Sequence, residues 1–289
     1  MALKLRSYLM RSLAQLRFEQ TSRRIRLRHG ASTLIDTTSA VLVWEPRRLV
    51  PVYAVPEGAL GAKLVPNAAP AHTLEDLPPV LGQENFSLHT CPGQSLDVHI
   101  GHDVLAGAAF RLDDLDLAGY VSLDFNAFTW MEEDEDAIGH PHDPFKRIDT
   151  LRSSRHVVVA LDGTVLADTT RAVALLETHL PTRWYIPRED VHMELLERGS
   201  HGSTCAYKGH ATYYSVVGAH AAGSDIAWTY PEPLHDAERV RDHVCFFSER
   251  TDLSVDGVPL DRPVTPWSPP DEQLALFASA DGLSGVEFG

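Results

Sequence analysis

Residues 157–170 read Val-Val-Val-Ala-Leu-Asp-Gly-Thr-Val-Leu-Ala-Asp-Thr-Thr, and this run decides the fold class. Its β-branched residues suit pleated strands. At its centre, Asp162-Gly163 is a two-residue hairpin signal, because the turn that follows strand twist needs positive φ at both central positions. Val157–Leu161 and Thr164–Ala167 are therefore expected to pair as antiparallel strands. The run also has an echo. Asp168-Thr169-Thr170-Arg171-Ala172-Val173 resembles Asp36-Thr37-Thr38-Ser39-Ala40-Val41, which lies 132 positions earlier. At that offset Glu177 meets Glu45. With a one-residue gap, Trp184-Tyr185-Ile186-Pro187 meets Tyr53-Ala54-Val55-Pro56. Thr204-Cys205 further matches Thr90-Cys91, and Trp228 matches Phe110. A repeat this long, in one order, implies two domains of one fold.

Working outward, Trp184–Pro187, Tyr213–Val217 and Asp225–Tyr230 read as further strands, and Glu189-Asp190-Val191 as a short helical turn with acids at its start. Residues 237–247 open as a helix and run into an apolar strand. Residues 1–20 space Leu5, Leu9, Leu13 and Leu16 as an amphipathic helix. The expected organisation is that helix, a first repeat domain over 21–135, a linker over 136–152, a second repeat domain over 153–258 and a tail over 259–289. The acidic, proline-bearing stretch from Thr129 to Pro144 marks the junction. The Pro-rich tail is expected to strap across a domain or stay disordered.

The chain has 289 residues, 44% of them hydrophobic, and a net charge of −15. The basic residues are concentrated early: Lys4, Arg6, Arg11, Arg17, Arg23, Arg24, Arg26 and Arg28 face the single acid Glu19. The rest is strongly acidic and would repel a phosphate backbone, so no nucleic acid is expected as a partner. No membrane span is expected either, since no stretch approaches 18 uninterrupted apolar residues. The three cysteines, Cys91, Cys205 and Cys245, form no C-x-x-C pair. They imply neither a disulfide framework nor a zinc site, and they suit a reducing cytoplasm. No metal or cofactor is expected. His140-Pro141-His142-Asp143 has ligand types, but a proline separates its histidines.

The chemistry-bearing residues gather in the second half. Cys205 lies near Lys208 and between His201 and His210, so a thiolate there could be stabilised. Its persistence as Cys91 in a copy without the lysine favours a packing role instead. Lys208-Gly209 places a flexible amine beside an accessible backbone, which suits gripping an anion; the plain alternative is a turn with a solvated lysine. Arg171 and Glu177 are six apart, an even spacing that would put both on one side of a strand. Tyr185, Tyr207, Trp228 and Tyr230 could wall a pocket. Adjacent aromatics such as Trp184/Tyr185 and Tyr213/Tyr214 must point to opposite faces.

Four segments together resemble the domain of unknown function 427 family. They are Arg171-Ala172-Val173 with Glu177-Thr178-His179-Leu180-Pro181, Tyr185-Ile186-Pro187-Arg188-Glu189-Asp190-Val191, Thr204-Cys205-Ala206-Tyr207-Lys208-Gly209, and Ala227-Trp228 with Pro231 and Pro233. The resemblance runs through about 155–257, with Ala206 where the family usually has proline. Residues 23–135 resemble it more weakly and lack the Lys-Gly element, so site residues are not carried onto them. The resemblance implies an all-β, mainly antiparallel fold of two tandem β-tent-like domains, with an N-terminal helix and short helical turns. Architectural relatives hold zinc or form aromatic cages. The family also carries a nucleotidyltransferase-like label. Such chemistry would need carboxylates such as Asp168, Glu177 and Asp190 to hold Mg²⁺ beside a phosphate-cradling loop, and no such loop is evident.

The leading expectation is that the second domain binds a small anionic or aromatic ligand. Lys208 and Arg171 would supply charge, Tyr185, Tyr207 and Trp228 the walls, and Glu177 or Asp190 the orientation. The first domain would be a degenerate structural partner. The alternatives are an enzyme, by nucleotidyl transfer or by Cys205 and Lys208 chemistry, and an interaction module that assembles as a homo-oligomer.

Overall fold

The computed structural model describes residues 12–68, 75, 77–218, 223–273 and 276. All counts below refer to these residues. Two compact units divide the chain, one ending at Asp143 and one running Pro144–Leu276. Both are built from antiparallel strands.

The first unit contains β1 (Arg17–Gln20), β2 (Ile25–His29), β3 (Ser32–Thr37), β4 (Val41–Trp44), β5 (Val52–Pro56), β6 (Lys63–Pro66), β7 (Gly93–Ile100), β8 (Asp103–Leu112), β9 (Tyr120–Leu123), β10 (Thr129–Glu132) and β11 (Glu135–Ala137). They form a seven-stranded sheet ordered β1-β4-β5-β9-β8-β7-β6 and a four-stranded sheet ordered β11-β10-β2-β3. The second unit contains β12 (Ile148–Arg152), β13 (Val157–Leu161), β14 (Thr164–Thr169), β15 (Val173–Glu177), β16 (Arg183–Pro187), β17 (Leu196–Cys205), β18 (Gly209–Val216), β19 (Ala227–Thr229), β20 (His243–Phe246), β21 (Asp252–Val255) and β22 (Val258–Leu260). Its sheets are ordered β12-β15-β16-β20-β19-β18-β17 and β14-β13-β21-β22. Strand for strand, the two orders are the same.

The deciding hairpin forms as its sequence requires. Asp162 and Gly163 take φ of 48° and 80°, and β13 alternates buried and half-buried residues along its length. Its buried side, Val157, Val159 and Leu161, packs with Leu166 and Ala167 of β14 against Trp184 and Ile186 of β16 and Val244 and Phe246 of β20. Fully burying a Val, Leu, Ile or Phe side chain contributes about 1.5–3 kcal/mol, so this inter-sheet core is the main source of cohesion in the unit. In the first unit Ile25, Leu27 and Trp130 of the small sheet meet Leu42, Trp44, Tyr53 and Val55 of the large one.

Each large sheet has a second, outer face. In the second unit it carries Val173 and Leu175, Tyr185, Trp228 and Cys245, covered by Ala237 and Val240 of the 3-10 segment His235–Val240. Trp184 and Tyr185 do face opposite ways, as do Tyr213 and Tyr214, because side chains alternate along a strand.

Two expectations are corrected, and the tail's course is specified. Of the expected helix over 1–20, residues 1–11 lie outside the described residues; Ser12–Ala14 is a 3-10 turn, and Arg17–Gln20 is the edge strand β1. The expected linker over 136–152 includes part of β11 and all of β12, which pair with β10 and β15. Edge strands tolerate charge and proline, so their composition reads as linker. The segment after Pro259 continues β22, then docks through buried Thr265 and Ser268. Residues 277–289 lie outside the described residues. No described helix is long and apolar enough to cross a membrane.

Candidate functional site

β17 and β18 form a hairpin closed by Cys205 opposite Gly209, with Ala206-Tyr207-Lys208 as its three-residue tip. Gly209 takes φ of 92°, and a Cβ there would sit 3.1 Å from the Glu232 carbonyl oxygen. A glycine is therefore required to turn the chain and bring Lys208 back over the sheet. Leu234 N–H donates to the Lys208 carbonyl at 3.2 Å and anchors the tip.

Lys208 reaches Glu177, the last residue of β15, and donates to its Oε2. Lys146 Nζ lies 3.1 Å from the Glu177 Oε1. The Glu177 side chain is only 6% exposed and the Lys208 side chain 11%, whereas Lys146 is 22% exposed. Burial opposes ionisation of Glu177, but the two ammonium groups outweigh it and hold the carboxyl at about 2. Burial also works against charge on Lys208; Glu177 more than compensates, so its pKa is raised. The triad carries two cations against one carboxylate.

Along the outer face beside this triad, Trp228 Nε1 donates to the Tyr185 hydroxyl at 3.0 Å, with the two rings edge to face. Burial pushes the Tyr185 phenol well above its ordinary value. Tyr230 is also buried, and burial raises its phenol likewise. Its hydroxyl lies within electrostatic reach of Tyr185, Cys205, Tyr213 and Glu177. Among the described residues that hydroxyl has no hydrogen-bond partner. Tyr213 meets Ser203 Oγ at 2.8 Å and stacks on His201 at 4.7 Å.

Arg183 occupies the centre of the face, 5% exposed. It donates from Nη1 to Glu249 Oε2 at 2.7 Å and from Nη2 to Oε1 at 2.5 Å, with Ser248 Oγ at 2.9 Å. Its guanidinium lies over Trp228, Phe247 and Trp267, at 5.5, 5.9 and 5.5 Å from their ring centroids. The C-terminal segment thus contributes Trp267 to this face, and Thr265 donates to Glu249. Arg183 and Trp267 are not among the residues that the sequence singles out. The even spacing of Arg183 and Tyr185 on one strand was the available signal for the first.

Of the expected site residues, Glu177, Tyr185, Lys208 and Trp228 meet on one face, and Cys205 lies within electrostatic reach of Lys208. Tyr207 is buried in the hairpin tip, 6% exposed. Arg171 and Asp190 are elsewhere. Arg171 precedes β15, and its Nη2 lies 2.6 Å from Asp190 Oδ1, with Glu189 at 3.2 Å. Thr169 Oγ1 donates to the same Asp190 at 2.6 Å. Six residues of extended chain span about 20 Å, so even spacing set Arg171 and Glu177 at opposite ends of one row rather than together.

The sheet register also corrects the cysteine match. Phe110 pairs with Ser122 as Trp228 pairs with Cys245, and Ser95 opposes Phe110 as Tyr213 opposes Trp228. Cys205 ends β17, whereas Cys91 lies in the loop before β7. The two thiols are not register equivalents, so Cys91 gives no ground for reading Cys205 as a packing residue. Cys91 is pushed up to about 11, chiefly by burial. No group of three His, Cys, Asp or Glu gathers among the described residues as a metal site would.

A family model described as domain of unknown function 427 matches residues 149–257. The match begins in β12 and ends just before β22, so it spans the unit that carries the Glu177–Lys208 pair. Residues 23–135 are not part of it. No curated protein matches the chain.

Proposed function

We propose that the second unit binds a small aromatic anion on the outer face of its large sheet. The observation that carries this reading is the ion triad with an excess cation, Lys146–Glu177–Lys208, on the same face as Trp228 and Tyr230. An anionic group would be drawn to the two ammoniums, and a ring would stack among Trp228, Tyr213 and Phe247. The Tyr230 hydroxyl, which makes no hydrogen bond among the described residues, would be free to bond the ligand. A nucleotidyltransferase reading has less support, because its candidate carboxylates are already engaged by cationic or titratable side chains: Glu177 by two lysines, Asp190 by Arg171 and Asp168 by His156.

We further infer that the first unit is a diverged copy of the same domain, on the ground of its identical strand order. Isothermal titration with p-hydroxybenzoate tests the binding reading. Saturable binding that weakens about tenfold in Lys208→Ala supports it, a loss of the size expected for a charge-assisted contact. Titration without saturable heat, or equal affinity in the variant, overturns it.

A further inference from the structure

At the other end of the outer face lies a cleft of about 460 Å³, whose lining includes Arg152, Arg171, Glu189, Arg239 and Asp242. It belongs to neither the Glu177 triad nor the Arg183 stack. Three different elements deliver its guanidiniums: the end of β12 gives Arg152, the loop before β15 gives Arg171, and the 3-10 segment His235–Val240 gives Arg239.

These arginines are not equally occupied. Arg171 is engaged with Asp190 and Glu189. Arg239 has a single bond, from Nη1 to the Thr150 carbonyl oxygen at 3.0 Å. The Arg152 side chain makes no hydrogen bond or ion pair among the described residues; its backbone pairs with Val173. Of the two lining acids, Glu189 is taken by Arg171, which leaves Asp242 against two uncommitted guanidiniums. The three guanidiniums and the carboxylates of Glu189, Asp190 and Asp242 balance in number, but Arg171 takes two of the acids, so Arg152 and Arg239 stand without a carboxylate of their own. A planar carboxylate satisfies one arginine fork. Guanidiniums converging from three directions instead suit a tetrahedral oxyanion, whose acceptors point several ways. The volume lies within the range of small-molecule pockets, about 300–1,000 Å³.

We propose that this cleft binds a small molecule carrying phosphate groups, held by Arg152 and Arg239 with Arg171 as the anchored third side. This site is independent of the aromatic-anion site, and either can fail without the other.

Titration calorimetry of the full chain with inorganic pyrophosphate at low ionic strength tests it, with inorganic phosphate and citrate as comparisons. Pyrophosphate is expected to bind saturably and more tightly than phosphate or citrate. The Arg152→Ala/Arg239→Ala double variant should weaken it about tenfold or more. The absence of saturable heat with pyrophosphate overturns the proposal, as does undiminished binding in the double variant. Citrate binding as tightly as pyrophosphate overturns the phosphate assignment. Should the double variant not fold, the ¹⁵Nε resonances of the intact protein serve instead. Pyrophosphate must then shift Arg152 and Arg239; shifts confined to other arginines, or none, overturn the proposal.

Discussion

Glu45 and Glu177 stand at the same point of the two units, each at the end of the fourth strand and on the same face as Val41/Val43 and Val173/Leu175. Their surroundings differ throughout. Glu45 Oε1 accepts from Arg48 Nε at 3.2 Å and meets His89 Nδ1 at 3.0 Å, and Oε2 accepts from the Thr90 amide at 2.8 Å. Arg48 is itself fixed by the carbonyls of Gly82, Asn85, Phe86 and Leu88. Glu177 has two lysines and no such cage. The register extends the contrast along the face. Where the second unit has Arg183, Tyr185 and Trp228, the first has Val52, Ala54 and Phe110. Both faces are buried, but the first is filled by small apolar groups and the second by a guanidinium, a phenol and an indole. One strand order thus supports a locked ion cluster and a candidate binding face.

The largest effect that could break this contrast is on stability. Glu45→Leu strands a buried guanidinium that cannot shed its proton, and should cost about 3–5 kcal/mol in urea unfolding of the full chain. Glu177→Leu should cost less, about 1–3 kcal/mol, because lysines can reach solvent or deprotonate. Equal losses would show the two clusters to be the same kind of structure.

The Glu177 contribution also has a pH signature. Its folded pKa, about 2, is below the ordinary 4.5, so the stabilisation is fully present above about 4.5 and is lost as pH falls through 2. The stability gap between the parent and Glu177→Gln should accordingly be flat near neutrality and shrink on acidification. A gap that widens below pH 4 would contradict the assignment.

Smaller effects sharpen the geometry. Gly209→Ala forces a side chain into left-handed backbone against the Glu232 carbonyl, at about 1–2 kcal/mol, and should weaken ligand binding as Lys208 shifts. Trp228→Phe removes one hydrogen bond to Tyr185 and should cost about 1 kcal/mol by thermal denaturation. A loss as large as that of Glu45→Leu would mean that Trp228 is the keystone of the core rather than a wall of the site.

What was legible in the sequence followed the range of the interaction that encoded it. The Asp162-Gly163 hairpin is local, and its turn chemistry names it. The Glu45/Glu177 correspondence survived because the strands that carry it keep one spacing. Even spacing gives Arg171 and Glu177 a common side but not proximity, because six extended residues separate them by about 20 Å. Thr90-Cys91 and Thr204-Cys205 were matched on a shared dipeptide, but ladder register, set by partners 15 or more positions away, places them differently. Tyr230 gains its meaning from neighbours on other strands, and Arg183 shares a face with Tyr185 by even spacing but finds its partner, Glu249, 66 positions away. Trp267 reaches the face from the far end of the chain.

The central claim is that the second unit's outer face accepts a ligand and that the first unit's does not. The most direct test is an NMR titration of the full chain with p-hydroxybenzoate, following the Trp indole and aromatic resonances. The account predicts saturable shifts at Trp228 and Tyr230, and none at Trp44, Trp130 or Phe110. Shifts of equal size in both units, or no saturable shift at Trp228 and Tyr230, would contradict it.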